Sequence, residues 1–323
     1  MTIQETFQQL QKPSRKRKLA FCIILACVIF IIILAVVIST ATKHEKPSNG
    51  GFSEDFSITW AENHTRISDH GKRLELILDK KSGSGFKSKE KFLFGSIKMD
   101  IKLVPADSAG TVTAYYLSSE TPNHDELDFE FLGNTSGQPY ILQTNVFANG
   151  TGQREQRINL WFDPTTDYHT YGVLWNRRQI VFLVDDLPIR VFTNNENMGM
   201  AFPNQQPMNI FSSIWFNGDS WATQGGRVKT DWTHAPFIAT YQNYNLDACV
   251  AKDAYAPCAM PVANKWWDQS EYQALSAAQQ DKVRWVEENY MVYNYCSDMK
   301  RNPTVPFECI RNSGGFLGLG SLH

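Results

Sequence analysis

The strictest pattern in the sequence is an alternation of acidic and apolar residues from Glu126 to Phe131, which read Glu-Leu-Asp-Phe-Glu-Phe. Successive side chains of a β-strand point to opposite faces, so this pattern predicts a strand with one apolar and one acidic face. The apolar face, which we expect in a hydrophobic core, consists of Leu127, Phe129 and Phe131. The acidic face consists of Glu126, Asp128 and Glu130.

Short β-rich segments separated by turn residues recur through the middle of the chain. Several carry aromatic or β-branched residues at every second position, which is typical of strands. We predict strands at residues 73–78, 93–103, 110–117, 141–147, 157–162, 170–175 and 179–184. This spacing favours an all-β antiparallel sandwich over an alternation of strands and helices.

The three carboxylates in one row indicate a specific chemistry. Like charges in a row raise the pKa of at least one of them, which keeps a carboxylic acid protonated near neutral pH. Retaining glycoside hydrolysis needs one carboxylate nucleophile and one carboxylic acid, with about 5–5.5 Å between the two groups. Because strand positions i and i+4 lie about 13 Å apart, Glu126 and Glu130 must lean toward each other, with Asp128 able to hydrogen-bond to either.

Two other interpretations of the acidic row remain. An exposed strand can carry a solvated acidic face without any catalytic role. A metal site is disfavoured, because carboxylates confined to one strand rarely supply a full shell of oxygen ligands.

Residues 19–38 form an unbroken apolar run, long enough to cross a bilayer core of about 30 Å as a helix. The basic cluster at residues 15–18 precedes it, which predicts a cytosolic amino terminus and a body that enters the secretory route. Two alternatives stay open: an uncleaved type II signal anchor, and a signal peptide cleaved near the small residues at 39–41. A buried core helix is disfavoured, since the run is apolar all round.

Charge is distributed unevenly along the chain. Residues 1–48 carry seven bases and two acids, whereas the other 275 residues carry 24 bases and 31 acids. An acidic body argues against nucleic-acid binding, which requires a basic face for the phosphates. An apolar content of 42% and an aromatic content of 13% exclude a disordered chain.

Sequons and cysteines agree with the secretory route. The candidate glycosylation sites are Asn63, Asn134 and Asn149. The four cysteines of the body allow three pairings, and their short loops favour Cys249–Cys258 and Cys296–Cys309. A metal site at these cysteines is disfavoured, because no CxxC motif or nearby histidine pair accompanies them.

We divide the chain into six segments. They are a basic cytosolic amino terminus (1–18), the apolar segment (19–38), a polar linker (39–51), a β-domain with the acidic strand (52–248), a disulfide-stapled extension (249–311) and a flexible tail (312–323). Helical periodicity is convincing mainly at residues 269–289, with Ser270 and Glu271 at the start, so we place a helix in the extension.

The segment His124-Asp125-Glu126-Leu127-Asp128-Phe129-Glu130-Phe131-Leu132-Gly133-Asn134 resembles the catalytic strand of the plant xyloglucan endotransglucosylase/hydrolases. These belong to the retaining glycoside hydrolase clan that also holds lichenases and laminarinases. The resemblance covers residues 52–311. It includes the segments at 143–147, 154–157, 160–165, 168–171, 229–232 and 235–237, and Tyr-Asn-Tyr-Cys at 293–296.

The resemblance implies a curved, concanavalin-like β-jelly roll with an open cleft, and an extension with two disulfides. It implies Glu126 as nucleophile, Glu130 as general acid/base and Asp128 as the helper between them. The residues at sugar-contacting positions are His124, Gln143, Asn145, Arg157, Trp215, Trp221 and Arg301. Asn134 matches a position that commonly carries a glycan beside the cleft.

The expected activity is that of a xyloglucan:xyloglucosyl transferase. Such an enzyme cleaves the β-1,4-glucan backbone of xyloglucan and joins it to another xyloglucan chain or to water. We expect no cofactor, no metal and no nucleic-acid partner, and a monomer that works in the cell wall or apoplast. If residues 19–38 are not cleaved, the enzyme is held at the membrane.

Two departures from the family pattern leave rival functions open. The loop at 213–221 looks one residue longer than usual and reads Gly-Asp-Ser at 218–220, and Met299 stands where the family often has Arg. Because the loop borders the cleft, the alternatives are a transglucosylase or endoglucanase for mixed-linkage glucan or cellulose, and a glucan-binding protein without catalysis.

Overall fold

The computed structural model describes residues 50–218, 220–251, 258, 260 and 265–312, without the side chains of residues 311 and 312. The predicted segments at 1–18 and 19–38 lie outside the described residues, as do nearly all of the linker and of the tail. No helix in the described ranges is long and apolar enough to cross a membrane.

The described residues form two antiparallel sheets, of eight and seven strands. The first consists, in spatial order, of β1 (Phe56–Trp60), β4 (Ser84–Ser88), β13 (Asn209–Phe216), β6 (Thr111–Ser118), β7 (Glu126–Leu132), β8 (Ile141–Phe147), β9 (Gln156–Asn159) and β15 (Met291–Asn294). The second consists of β12 (Leu187–Thr193), β11 (Gln179–Val184), β10 (His169–Trp175), β5 (Phe92–Lys102), β14 (Phe237–Val250), β3 (Arg73–Leu78) and β2 (Thr65–Ser68).

The two sheets pack face to face around one hydrophobic core, which confirms the predicted all-β jelly roll. The apolar residues of β7 are fully buried in this core, as the alternation predicted. Phe129 contacts Phe182 of the opposite sheet, with the ring centroids 5.2 Å apart. Burying these rings drives the acidic side of β7 to the outer, open face of the first sheet.

The extension is tied to the sheets by covalent and backbone contacts. Both predicted disulfides are present, Cys249–Cys258 and Cys296–Cys309. Strand β15 pairs with β9 and so extends the first sheet at its edge. The helices among the described residues are α1 (Phe52–Asp55), α2 (Ala277–Tyr290) and α3 (Phe307–Asn312).

The predicted start of the helix at residues 269–289 was wrong. The helix α2 begins at Ala277, where the Ser276 side chain accepts from the Gln279 N–H and the Gln279 side chain accepts from the Ser276 N–H. This reciprocal capping box satisfies two backbone donors at once. Ser276, not Ser270, therefore starts the helix.

The residues before α2 adopt short 3₁₀ turns because a strand end competes for their carbonyl groups. The side-chain amides of Asn176 and Gln179 donate to the carbonyl oxygen of Tyr272 at 2.8 and 2.9 Å. Asn176 also donates to the carbonyl of Trp267 at 2.9 Å. These tertiary hydrogen bonds replace the intrahelical bonds that the periodicity predicted.

The predicted strands at 73–78, 141–147 and 179–184 have the observed bounds. The strand predicted at 157–162 ends early, at Asn159. Beyond that point Trp161 packs against Trp285 of α2, with ring centroids 5.5 Å apart, so the chain leaves the sheet to bury an aromatic side chain.

Candidate active site

The acidic row of β7 lies on the open face of the first sheet, and most of its partners on β8 are polar. Glu130 is paired with Gln143 of β8 and Ala114 of β6, and Asp128 is paired with Asn145 of β8. A cavity of about 410 Å³ opens above this row. Its lining includes Tyr116, Glu126, Asp128, Glu130, Gln143, Asn145, Glu155, Trp215 and Trp221.

Asp128 is the most buried of the three acids, and it forms a hydrogen bond with Glu126. Burial raises the pKa of Asp128 well above its usual value, and the charges of Glu126 and Glu130 raise it further. Both effects favour the protonated form of Asp128, and a protonated carboxyl group can donate a hydrogen bond to the Glu126 carboxylate.

Arg190 lies beneath the acidic row, inside the sandwich. This residue of β12 is only 4% exposed, and its charge partly opposes the rise in the pKa of Asp128. Its guanidinium donates to the carbonyl and the hydroxyl of Thr144, both at 2.9 Å, and to the carbonyl of Arg154 at 2.7 Å. No sequence pattern indicated this buried cation, because the alternation of a strand does not mark a charge in the core.

Glu130 lies at the end of a chain of polar contacts across the sheet. Arg157 of β9 donates through Nε to Gln143 Oε1 at 2.7 Å, and Gln143 Nε2 donates to Glu130 Oε2. Burial raises the pKa of Glu130 to about 7, while the Gln143 hydrogen bond and the Arg157 charge oppose this rise. The charges of Glu126 and Glu155 add to it. Glu130 can therefore be protonated or ionised near neutral pH.

Glu155 and Tyr293 contribute to the site although sequence reasoning did not single them out. Glu155 lines the cavity and binds the Arg301 guanidinium, with Nη1–Oε2 2.7 Å and Nη2–Oε1 3.2 Å. Tyr293 of β15 lies over Arg157 as a cation–π partner, and its hydroxyl is 3.3 Å from Arg301 Nη1. The available sequence signal was the position of Glu155 two residues before Arg157.

His124 and Asn145 flank the carboxylates. His124 Nε2 is 3.9 Å from Glu126 Oε2, and its ring packs near Phe147 with centroids 5.0 Å apart. The side-chain oxygen of Asn145 accepts the backbone N–H of Arg154 at 3.0 Å, which fixes the orientation of the amide. Both predicted residues therefore lie beside the row.

Trp215 and Trp221 lie together at one wall of the cavity. Their rings stack nearly parallel, with centroids 5.9 Å apart and an interplanar angle of 12°. They pack over a small apolar cluster that consists of Val112, Leu132 and Ala222. The loop between them contains Asp219, which lies outside the described residues.

A second, larger cavity of about 680 Å³ continues the open face beside Arg157. Asn134 lines it but is only 6% exposed: its side chain donates to the Pro139 carbonyl and accepts from Gln224, both at 2.9 Å. The other two sequon residues, Asn63 and Asn149, are exposed. Glycan attachment at the three positions stays a prediction.

The comparisons with known proteins match both parts of the chain. Residues 52–234 match the model of the glycosyl hydrolases family 16, and residues 261–309 match that of the xyloglucan endo-transglycosylase (XET) C-terminus. A probable xyloglucan endotransglucosylase/hydrolase protein 5 of Arabidopsis thaliana is 52% identical over 286 residues, 88% of this chain and 96% of its own length. The chain belongs to the xyloglucan endotransglucosylase/hydrolase family.

Other members and a more distant structure extend this result. The xyloglucan endotransglucosylase protein 34 of Populus tremula x Populus tremuloides is 55% identical over 267 residues, 83% of this chain and 90% of that protein. The crystal structure of a prokaryotic lichenase from a mouse hindgut metagenome aligns with a TM-score of 0.50 at 22% identity, over 61% of this chain and 94% of the lichenase. That likeness shows a shared fold.

Proposed function

We propose that this member of the family cleaves the β-1,4-glucan backbone of xyloglucan with retention and transfers the new end to another xyloglucan chain or to water. The observation that carries the proposal is the row of three coupled acids in an open cleft, with the pKa of Glu130 raised to about 7. Family membership supplies the substrate class.

In the first step, a carboxylate oxygen of Glu126 attacks the anomeric carbon of the sugar at the point of cleavage. The bond to the leaving oxygen breaks as Glu130 transfers its proton to that oxygen, and a glycosyl ester of Glu126 remains. Asp128 donates a hydrogen bond to Glu126, which holds the nucleophile in place between attack and release.

In the second step, Glu130 is an ionised base. It takes the proton of an incoming hydroxyl group, whose oxygen attacks the anomeric carbon and displaces the Glu126 carboxylate. Two inversions at one carbon give net retention. Gln143 and Arg157 stabilise the ionised state of Glu130 between the two steps, while burial stabilises the protonated state, so both states are accessible near neutral pH.

Whether a sugar or water completes the second step depends on how tightly an acceptor chain is held. The second cavity beside Arg157 and Tyr293 continues from the carboxylates, so we assign it to the acceptor. The cleft loop at 213–221 looks only one residue longer than usual, and we take so small a change to favour transfer over hydrolysis. A difference of about 1.4 kcal/mol in acceptor binding changes the ratio tenfold.

The test is the Glu126→Ala variant of the full-length chain, assayed for viscosity loss of xyloglucan and for incorporation of a labelled xyloglucan oligosaccharide. We expect both activities to be abolished, because both pass through the same ester. The matched control is Glu75→Ala, a glutamate of β3 in the opposite sheet that pairs with Arg66. Turnover retained in Glu126→Ala would reject Glu126 as the nucleophile.

A different donor glucan is the second candidate, and the departure at 218–220 in the loop between Trp215 and Trp221 favours it. This loop carries one wall of the cavity, so a changed loop can alter which backbone or side-chain sugars fit. Parallel assays with xyloglucan, mixed-linkage glucan and cellulose oligosaccharides decide between the two. Equal or better use of a donor without xylose would reject xyloglucan as the preferred substrate.

We also propose that the enzyme enters the secretory route and acts in the cell wall. The two disulfides support an oxidising compartment, and the residues at 15–38 carry the predicted targeting signal. Sequencing the mature amino terminus separates a cleaved signal peptide from a retained anchor. A mature chain that begins near Thr42 would reject the anchor.

A further inference from the structure

Trp60, at the far edge of the first sheet, has no place in the site described above. It is 44% exposed, although it ends a strand whose first residue, Phe56, is buried in the core. Single exposed apolar side chains are common at protein surfaces, so the exposure of Trp60 alone assigns no role to it. The backbone around Trp60 is more informative.

A β-bulge in β1 turns Trp60 onto the open face of the sheet. Ile58 pairs with Phe86 of β4, but the register then shifts and Trp60 pairs with Gly85. Without the extra residue, Trp60 would point to the same side as Ile58, toward the core, because side chains alternate with a period of two. Bulges of this kind re-aim side chains next to binding sites.

Gly85 makes room for the ring that the bulge delivers. A Cβ atom at position 85 would lie 2.4 and 2.5 Å from two ring carbons of Trp60, closer than any real contact. The indole therefore lies directly over the Gly85 backbone. The bulge and the glycine together place one flat ring against the open face, with its other side exposed.

Trp60 also lies in the same cross-strand row as the general acid/base. The pairing runs from Trp60 to Gly85 of β4, Ser213 of β13, Ala114 of β6 and Glu130 of β7. Four strand spacings of about 4.8 Å separate Trp60 from Glu130, or about 19 Å along the cleft. On the other side of Glu130 the row continues to Gln143, Arg157 and Tyr293.

We propose that Trp60 is a distal sugar platform that binds the donor chain several glucose residues away from the point of cleavage. The proposal rests on the proposed xyloglucan activity and names a residue that sets its preference for long donors. The part of the cleft beside Arg157 and Tyr293 is assigned to the acceptor chain. The donor chain therefore lies on the other side of the carboxylates, where the cross-strand row ends at Trp60. An exposed indole offers a flat apolar face to a glucan backbone ring, and its burial by sugar supplies binding energy.

The experiment measures kcat/KM of the full-length chain for xyloglucan oligosaccharide donors of increasing backbone length, with one short labelled acceptor. In the wild type, kcat/KM rises when the donor becomes long enough to reach Trp60. In Trp60→Ala we expect this rise to disappear, a loss of about tenfold on the long donors, with the short donors unchanged.

Two further variants separate the ring from the packing. Trp60→Leu covers Gly85 with apolar bulk but has no flat ring, so it should behave like Trp60→Ala. Trp60→Phe keeps a ring and should retain part of the rise. Trp285→Ala of α2, which removes another exposed indole (40% exposed), is the matched control and should keep the wild-type dependence on donor length.

The outcomes distinguish the inference from the proposed function. Equal losses on short and long donors, or no loss on either, overturn the platform at Trp60. A wild type that neither cleaves nor transfers xyloglucan rejects the proposed function instead. In that case, calorimetric titration of wild type and Trp60→Ala with long cello-oligosaccharides and xyloglucan oligosaccharides still tests the platform, and equal affinities reject it.

Discussion

Arg301 and Glu155 form a bidentate ion pair at the edge of the cavity above the acidic row, with Nη1–Oε2 2.7 Å and Nη2–Oε1 3.2 Å. The planar guanidinium matches the carboxylate, so each group fixes the other. Hydrogen bonds to Glu155 and Tyr293 raise the pKa of Arg301 further, and it stays charged. The charge of Glu155 in turn raises the pKa of Glu130, which couples Arg301 of the extension to the proposed general acid/base.

This coupling predicts that Glu155→Gln shifts the pH profile of kcat/KM to lower pH on its alkaline side. Glu130 must be protonated for the first step, and its pKa of about 7 falls when the charge of Glu155 is removed. Activity is then lost at a lower pH than in the wild type. The measurement is kcat/KM for xyloglucan against pH.

The control for this prediction is Glu75→Gln, which removes an equal charge from the opposite sheet and should leave the profile in place. The double variant Glu155→Gln/Arg301→Gln removes both charges of the pair. Its profile should lie between those of the wild type and Glu155→Gln. An alkaline limb that does not move in Glu155→Gln would show that the charge of Glu155 does not reach Glu130.

Removing the Gln143 amide predicts a shift in the opposite direction. Gln143 Nε2 donates to Glu130 and lowers its pKa, so Gln143→Met should raise that pKa. The alkaline limb of the profile then moves to higher pH. The second step slows, because a smaller fraction of Glu130 is ionised at the same pH. A shift to lower pH contradicts the assigned direction of this hydrogen bond.

Glu130→Gln tests proton transfer to the leaving oxygen. General acid–base catalysis contributes about 10²–10⁴-fold, and we expect kcat on xyloglucan to fall by a factor in that range. A donor with an aryl leaving group needs little protonation, so formation of the glycosyl ester from it should fall much less. Equal losses on both donors would mean that Glu130 does not act as the acid.

The sequence predicted the parts of this protein that follow from local pattern. Leu127, Phe129 and Phe131 had to share one face of a strand, and this alternation placed the carboxylates opposite the core. The pattern could not predict partners that come from distant strands. Arg190 lies beneath Asp128 but comes from the opposite sheet. The carbonyl group of Tyr272 accepts hydrogen bonds from the side-chain amides of Asn176 and Gln179 instead of from a helical N–H group.

Because a local sequence pattern does not show partners from distant strands, the roles of two single residues became clear only from the structure. Arg301 was expected at the acceptor side from family resemblance, but its ion pair with Glu155 depends on how the extension packs on β9. Trp60 reads from sequence as an ordinary strand residue, since a bulge leaves no local signature in its composition. Both cases turn on pairing between strands that are far apart in the chain.

The buried ion pair between Arg154 and Glu308 predicts that α3 contributes strongly to stability. Arg154 Nε lies 2.9 Å from Glu308 Oε1, and the two side chains are 7% and 5% exposed. Glu308→Ala leaves a buried guanidinium without its counterion, which costs about 3–5 kcal/mol in the free energy of unfolding. Asp281→Ala, which removes an exposed partner of Arg284 on α2, is the control and should cost less than about 0.5 kcal/mol. Denaturant unfolding of both variants checks the difference, and a loss in Glu308→Ala no larger than in the control would show that Arg154 is well solvated without its partner.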